Sequence, residues 1–212
     1  VKEQEGSRLI SAVSYSLLYD RRNDPQFPTE GYAVRLGQEF AGVGGTVRYL
    51  RTTASGEVHT PLPIEDWVGT FSMNTGLLNG LGRDTIIADR FFIGGDSFRG
   101  FRPSGIGPRD AETNDALGGT LYYVGSLELG FPVGLPKDLG VRGAAFTDFG
   151  SLWKSGLDDP GVFDTPALRA SYGVGLSWLS PLGLLRFDFA WPLKKQEYDR
   201  TERFRFGFGT RF

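Results

Sequence analysis

The C-terminal end of the chain alternates between apolar and polar positions without a break. One face of the strand that this pattern predicts carries Phe204, Phe206, Phe208, Thr210 and Phe212. Arginine and glycine occupy the opposite face, because successive side chains of a strand point to opposite sides. Such a strand could bury its phenylalanines in a soluble sandwich, or face lipid with them and a wet lumen with its arginines. The final strand alone is compatible with both.

The same alternation recurs between turn residues along the whole chain, and no amphipathic helix pattern appears. It predicts about nine strands, several of them near the nine to eleven residues of a tilted membrane strand and above the globular norm of about five to six. The predicted strands are Arg8–Asp20, Tyr32–Ala41, Thr46–Thr60, Trp67–Leu78, Thr120–Phe131, Val141–Trp153, Leu168–Leu179, Leu184–Pro192 and Arg203–Phe212.

Some predicted strands carry charged side chains at mid-strand on one face only. Ser126 and Glu128 oppose an apolar face in one of them, and Arg186 and Asp188 oppose an aromatic face in another. Charges fit a polar lumen better than the dry interface of two packed sheets. The pattern therefore favours an all-β fold, an antiparallel transmembrane β-barrel. An interfacial aromatic girdle is predicted at strand ends, formed by Trp67, Tyr122, Trp153 and Trp191.

Composition argues against several other classes of protein. The net charge of −2 gives no general attraction for nucleic acid. Mean hydropathy is −0.22, and no apolar run is long enough for a membrane helix. Without cysteine the chain can form neither a disulfide nor a thiolate metal site. The single histidine, His59, is interpreted as an ordinary strand residue, and no catalytic residue, metal site or cofactor is expected.

The stretch Leu81–Gly119 shows no clear strand alternation and is unusually long for a loop. Loops of this length in compact proteins are usually functional or disordered. This one is too apolar for a solvated linker, so we expect it to fold back onto the rest of the chain. Its large apolar residues are Phe91, Phe92, Ile93, Phe98, Phe101 and Ile106.

Four motifs, in order along the chain, resemble those of the BamA family of outer-membrane assembly factors. The segments Phe91–Phe101 and Gly105–Arg109 are similar to the family's (V/F)RG(F/Y) loop. The Phe27–Gly31 turn resembles its PT(D/E)G turn, and Gly118–Leu129 and Phe146–Trp153 resemble its next two strands. The aromatic C-terminal strand resembles its closing strand. An Arg-Gly dipeptide alone would be weak evidence for the resemblance, but the four motifs in this order cover essentially the whole chain.

The resemblance implies a sixteen-stranded barrel preceded by periplasmic POTRA domains. Residues 1–212 would form a single C-terminal barrel segment of roughly the last nine strands, without a POTRA domain. No signal peptide opens the chain, because Val1–Glu5 is charged and begins within the pattern. An open sheet has two edges that cannot face lipid. We therefore expect the absent N-terminal strands, or another copy of the chain, to cover them.

By resemblance, the long loop dips into the lumen and its Arg99-Gly100-Phe101 segment is anchored on the inner wall. The matching acidic residues of this chain are Glu128 and Asp148. A guanidinium keeps its charge in a lumen and needs carboxylate or carbonyl partners there. The alternative is that Arg99 lies in an exposed loop and Glu128 is simply solvated.

The function implied by the resemblance is assembly and insertion of outer-membrane proteins, without enzymatic chemistry. The final strand, with Phe204, Phe206, Phe208 and the terminal Phe212 as its signal, would pair weakly with the first, and an incoming strand would add to the opened edge. Expected partners are outer-membrane lipids, unfolded outer-membrane proteins and other subunits of the assembly machinery, in the bacterial outer membrane. Two alternatives stay open: a polypeptide-secretion pore of the same superfamily, and a soluble β-sandwich binding domain.

Overall fold

The fold consists almost entirely of β-strands. The computed structural model describes residues 9–25, 27–42, 44–45, 47–82, 85–157, 159–180 and 183–208. Its strands are β1 (Ala12–Asp20), β2 (Gly31–Ala41), β3 (Tyr49–Pro61), β4 (Val68–Gly80), β5 (Arg109–Asp110), β6 (Leu121–Pro132), β7 (Val141–Trp153), β8 (Val162–Phe163), β9 (Arg169–Ser180), β10 (Gly183–Lys194) and β11 (Phe204–Phe208). Ile87–Asp89 and Lys137–Leu139 form short 3-10 turns. None of the helical segments in these residues is long and apolar enough to cross a membrane.

Nine of the strands form one antiparallel sheet in the order β1-β2-β3-β4-β6-β7-β9-β10-β11. The two-residue strands β5 and β8 pair with each other, outside this sheet. The predicted all-β fold of about nine strands is confirmed, and the bounds of β7 agree with the prediction to the residue. Because β1 and β11 lie at the two edges, the sheet is open in the part of the chain that the structure describes.

The two faces of the sheet differ as the alternation predicts. On the face that we name the inner face, the register places Ser126 opposite Asp148 and Asp188 opposite Arg205, so polar side chains of adjacent strands line up. The outer face exposes large apolar side chains, as a lipid-facing surface does. These include Val13, Leu17, Phe71, Leu127, Tyr172, Val174, Trp178, Phe189, Phe204, Phe206 and Phe208.

The main apolar core lies between the inner face and the long loop. Phe98 and Phe101 of the loop are fully buried, and they pack in one cluster with Val124 and Leu152 of the sheet. Burial of such a side chain stabilises the fold by about 1.5–3 kcal/mol. The hydrophobic effect therefore holds the loop against the sheet. Its position inside a closed lumen stays a prediction, because the strands described do not close into a barrel.

Three of the four predicted girdle residues pack against aromatic neighbours. Trp67 stacks on Phe131, Trp191 on Tyr172, and Trp153 meets Tyr123 edge to face. The fourth assignment was wrong: Tyr122 packs against Phe91 of the long loop, with ring centroids 4.8 Å apart. Tyr122 shares the inner face with Val124 and Ser126, because side chains two residues apart point the same way.

Candidate functional site

A tight turn presents Arg99 to the inner face of the sheet. The rings of Phe98 and Phe101 on either side of it are nearly perpendicular, with centroids 5.1 Å apart, and both are buried. Gly95 forms an isolated β-bridge with Phe98. Because the flanking aromatic side chains are fixed in the apolar core, the arginine between them is directed at β6 and β7.

Arg99 binds both of the carboxylates that the sequence singles out. Its Nη1 donates to Glu128 Oε2 at 2.6 Å. Its Nε and Nη2 donate to the two carboxylate oxygens of Asp148, at 2.8 and 2.6 Å, and its backbone N–H donates to Asp148 Oδ2 at 3.0 Å. This is the bidentate geometry in which arginine and carboxylate interact most strongly. The structure thus brings together Arg99, Glu128 and Asp148.

Further contacts complete the surroundings of the guanidinium. Nη2 also donates to Ser126 Oγ at 2.8 Å, and the Ser126 hydroxyl donates to Asp148 at 2.6 Å. The Phe146 ring lies 3.4 Å from the guanidinium carbon, a cation–π contact. Burial alone would lower the pKa of Arg99, but hydrogen bonds and charges of Asp148 and Glu128 raise it above its ordinary value. The buried side chain therefore stays cationic.

Gly100 allows the turn to approach β9 closely. Its φ of +90° lies in the left-handed region, and a Cβ atom there would be 3.0 Å from the Cβ of Ser171. The Ser171 hydroxyl donates to the carbonyl of Arg99 at 2.6 Å. A side chain at position 100 would meet both backbone strain and this strand.

Arg186 and Asp188 of β10 extend the charged cluster around Arg99. The sequence did not reveal this extension. Arg186 Nη2 donates to Glu128 Oε2 at 2.7 Å, so Glu128 lies between two guanidinium groups. Arg186 Nε donates to Asp188 at 2.9 Å. The sequence does place Arg186 and Asp188 on the polar face, but the contact of Arg186 with Glu128 depends on the order of the strands that separate them.

Arg51 forms a second attachment of the long loop, far from Arg99 in sequence. Its Nη2 donates to the backbone carbonyl of Asp89 at 2.5 Å. The guanidinium carbon lies 5.3 Å from the Tyr49 ring centroid and 5.5 Å from that of Phe91. No motif marks this arginine, because its hydrogen-bond acceptor lies in a 3-10 turn that the alternation does not predict.

The final strand directs its phenylalanines outward. Phe204, Phe206 and Phe208 are exposed on the outer face, and Phe204 and Phe206 pack beside Phe189 and Phe187 of β10. Phe212 lies outside the described residues.

The backbone of β11 has one ladder, to β10. The Ala190 N–H donates to the Arg203 carbonyl at 2.9 Å, which makes positions 190 and 203 a hydrogen-bonded pair. Hydrogen-bonded and non-hydrogen-bonded pairs alternate in antiparallel sheets. In the register of β10 with β11, the N–H groups of Arg205 and Gly207 therefore face β10. Those of Phe204, Phe206 and Phe208 face the other side, where β11 has no neighbouring strand among the described residues.

Other side chains do not assemble a reactive centre in the part of the chain described. His59 is buried, with Nδ1 3.0 Å from Thr70 Oγ1 and Nε2 3.7 Å from the Glu57 carboxylate. No group of three or more His, Asp and Glu residues among those described is placed to hold a metal ion. The notable chemistry of the described residues is therefore ion pairing on the inner face.

A long-stranded antiparallel sheet with an apolar outer face and a loop anchored to its polar inner face is typical of the wall of an outer-membrane β-barrel protein. The model of the Omp85 superfamily domain matches residues 1–212. The chain therefore belongs to the Omp85 superfamily.

Proteins similar to this chain come from bacteria and animals. "Outer membrane protein assembly factor BamA" of Neorickettsia risticii is 38% identical over 208 residues, which are 98% of this chain and 28% of that protein. "Sorting and assembly machinery component 50 homolog" of Bos taurus is 31% identical over 226 residues, covering 100% of this chain and 48% of that protein. The chain thus spans less than half the length of these relatives.

The fold is also similar to a solved structure of the same family. The crystal structure of BamA from Haemophilus ducreyi lacking POTRA domains 1-3 superposes with a TM-score of 0.83 at 27% identity. The match covers 92% of this chain and 41% of that one. Together with the BamA relative, it supports the predicted BamA-type C-terminal barrel segment.

Proposed function

We propose that the protein containing this chain assembles and inserts other outer-membrane proteins, without enzymatic chemistry. The two relatives described above are an outer-membrane protein assembly factor and a component of a sorting and assembly machinery, which supports this proposal. We propose the bacterial outer membrane as its location, because the bacterial relative is more similar than the animal one. Its proposed partners are membrane lipids, unfolded outer-membrane proteins and other assembly subunits. N-terminal strands, or a second copy, would cover the free edges of the sheet.

The observation that carries the proposal is the edge of β11 that has no neighbouring strand among the described residues. Its phenylalanine N–H and carbonyl groups point away from β10, so a strand of the protein being assembled, the client, can add to them when the strand that covers this edge separates. Edge groups that lack partners are unfavourable in lipid, and strand addition satisfies them. The free energy for insertion then comes from folding of the client itself, so insertion needs no nucleotide hydrolysis.

Disulfide capture tests this mechanism. The full-length protein is prepared in a cysteine-free background and reconstituted in vesicles with a stalled client that carries one cysteine in its terminal strand. Phe206→Cys on β11 is expected to capture the client, because neighbouring strands bring Cα atoms within about 4.4–6.8 Å. Val174→Cys is the matched control, since it is also exposed on the outer face but belongs to β9, which has neighbours on both sides.

The outcomes separate the two functions of the superfamily. Capture at Phe206→Cys but not at Val174→Cys supports edge addition. Capture instead at Asn74→Cys, on the inner face of β4, would favour passage of the client through a pore and would contradict the proposal. Equal capture at all three positions would also contradict it, because it would show contact without a preferred edge.

A further inference from the structure

We propose that the long loop and the closing strand β11 form one coupled unit, in which Arg205 positions the strand relative to the loop. One consequence of the inference rests on the proposed function: the position of the loop on the sheet would control whether the edge of β11 is available to a client. The coupling itself is a property of the fold and can be measured without a client.

A short backbone ladder joins the loop to the residues that lead into β11. The Arg102 N–H donates to the Arg200 carbonyl at 2.9 Å, and the Arg200 N–H donates to the Gly105 carbonyl at 2.9 Å. The Glu202 N–H donates to the Gly100 carbonyl at 3.0 Å. These bonds begin directly next to Arg99, so displacement of the arginine turn would also break the bond to Glu202.

Arg205 is the side-chain contact between the strand and the loop. It projects from β11 on the inner face, and its guanidinium lies 3.1 Å from where a Cβ of Gly95 would be. Its Nη1 is 3.5 Å from the Asp96 carboxylate of the loop, and its Nη2 is 2.5 Å from Glu202. One guanidinium therefore contacts the loop, the connecting segment and its own strand.

Gly105 shows how closely the loop and the connecting segment approach. A Cβ atom at this position would lie 2.5 Å from the Arg102 carbonyl oxygen and 2.6 Å from that of Arg200. Since both neighbours are backbone atoms, Gly105→Ala should push the connecting segment away at Arg200 and also disturb the loop itself at Arg102. No strained φ is involved at Gly105.

These contacts imply that the two ends of β11 are held differently. Its start is joined to the loop through Glu202 and Arg205, whereas Gly207 is paired, among the residues described, with β10 alone. Linked equilibria are reciprocal. Displacing the loop must therefore destabilise β11 by a coupling free energy, and displacing β11 must destabilise the loop by the same amount.

Amide hydrogen exchange of the full-length protein in lipid nanodiscs tests the coupling. Gly105→Ala perturbs the loop side, and Arg205→Ala perturbs the strand side. We expect Gly105→Ala to speed exchange in residues 204–208, and Arg205→Ala to speed exchange at Arg99 and Arg102, whose bonded amides Arg205 does not contact, each by about 5- to 150-fold. Gly130→Ala is the matched control, because its nearest neighbour would be 3.7 Å away, and it should change neither segment.

A purely local response would overturn the inference. In that case Gly105→Ala would speed exchange only at residues 99–105 and 200–202, and Arg205→Ala only on β11 and at the residues it contacts, 94–96. Should Gly105→Ala fail to fold, Arg205→Ala with the loop amides as readout still decides. Hydrogen exchange does not depend on a client. A missing coupling would therefore overturn this inference without bearing on the proposed function, which the disulfide capture tests separately.

Discussion

Arg99 and Asp148 form a bidentate ion pair between residues 49 positions apart in sequence, with Nη2–Oδ1 and Nε–Oδ2 distances of 2.6 and 2.8 Å. The side chains of both are almost completely buried. Removing one partner of such a pair is strongly unfavourable, because the other charge stays buried without compensation. The pair therefore fixes the position of the long loop on the inner face of the sheet.

Arg99→Ala should release the loop. We expect the loss of about 3–5 kcal/mol of stabilisation, as for other buried pairs broken on one side. Limited proteolysis of the protein in detergent measures the result, and cleavage within residues 94–105 should become faster. Arg102→Ala is the control, because its side chain is exposed and only its backbone N–H binds Arg200. Equal protease sensitivity of the two variants would show that Arg99 does not hold the loop.

The two carboxylates should contribute unequally to this anchor. In double-mutant cycles of Arg99→Ala, we expect a larger coupling with Asp148→Ala than with Glu128→Ala, within the usual range of about 0.5–3 kcal/mol. Asp148 receives two bonds from the Arg99 side chain, whereas Glu128 receives one and keeps Arg186 as a partner when Arg99 is lost. Denaturant unfolding in detergent measures the free energies. A larger coupling for Glu128 would contradict this assignment.

Gly100→Ala should destabilise the loop through its backbone. The left-handed φ of Gly100 costs a residue with a Cβ about 1–2 kcal/mol, and contact with Ser171 adds to this. The expected result is a lower melting temperature and faster cleavage of the loop. Gly130→Ala, which adds a methyl group without strain, should melt like the unmodified protein. If both variants melt alike, the approach to β9 is not a constraint.

The outward orientation of the phenylalanines of β11 can be tested by introducing the same charged residue once on each face of the strand. Phe208→Asp places a carboxylate on the exposed outer face, at a cost below the roughly 2–4 kcal/mol of Arg or Lys at mid-membrane. Gly207→Asp places it on the inner face beside Arg186, where a Cβ fits with 3.8 Å to its nearest atom. Folding yield in lipid vesicles, read from the heat-modifiable gel band, should fall for Phe208→Asp only. A greater loss for Gly207→Asp would mean that the faces are reversed.

Strand alternation predicts much of the fold and of the Arg99 site. The spacing of Ser126 and Glu128 fixes their common face, and a buried guanidinium requires acidic partners, so Glu128 and Asp148 could be chosen with the help of the family resemblance. Tyr122 shows that a position at a strand end is not enough to predict a girdle residue. It lies at a strand end, as girdle residues do, but alternation places it on the inner face, where Phe91 covers it.

The contacts of Arg51 and Arg205 could not be predicted from the sequence. Arg51 binds a carbonyl in a 3-10 turn, and Arg205 meets the loop through Gly95 and Asp96. These partners come from irregular backbone, whose path has no periodicity to read. Only the folded loop, placed by its buried phenylalanines, brings them together.

The most direct test of the account concerns the free edge of β11. Proline at position 206 removes an N–H that faces this edge and leaves the ladder to β10 intact, and such edges tolerate proline. Phe206→Ala is the control, since it removes the ring but keeps the N–H. The full-length protein in vesicles should fold a client about two- to twelvefold more slowly with Phe206→Pro than with Phe206→Ala, the equivalent of one hydrogen bond of about 0.5–1.5 kcal/mol. Equal rates for the two correctly folded variants would contradict strand addition at β11.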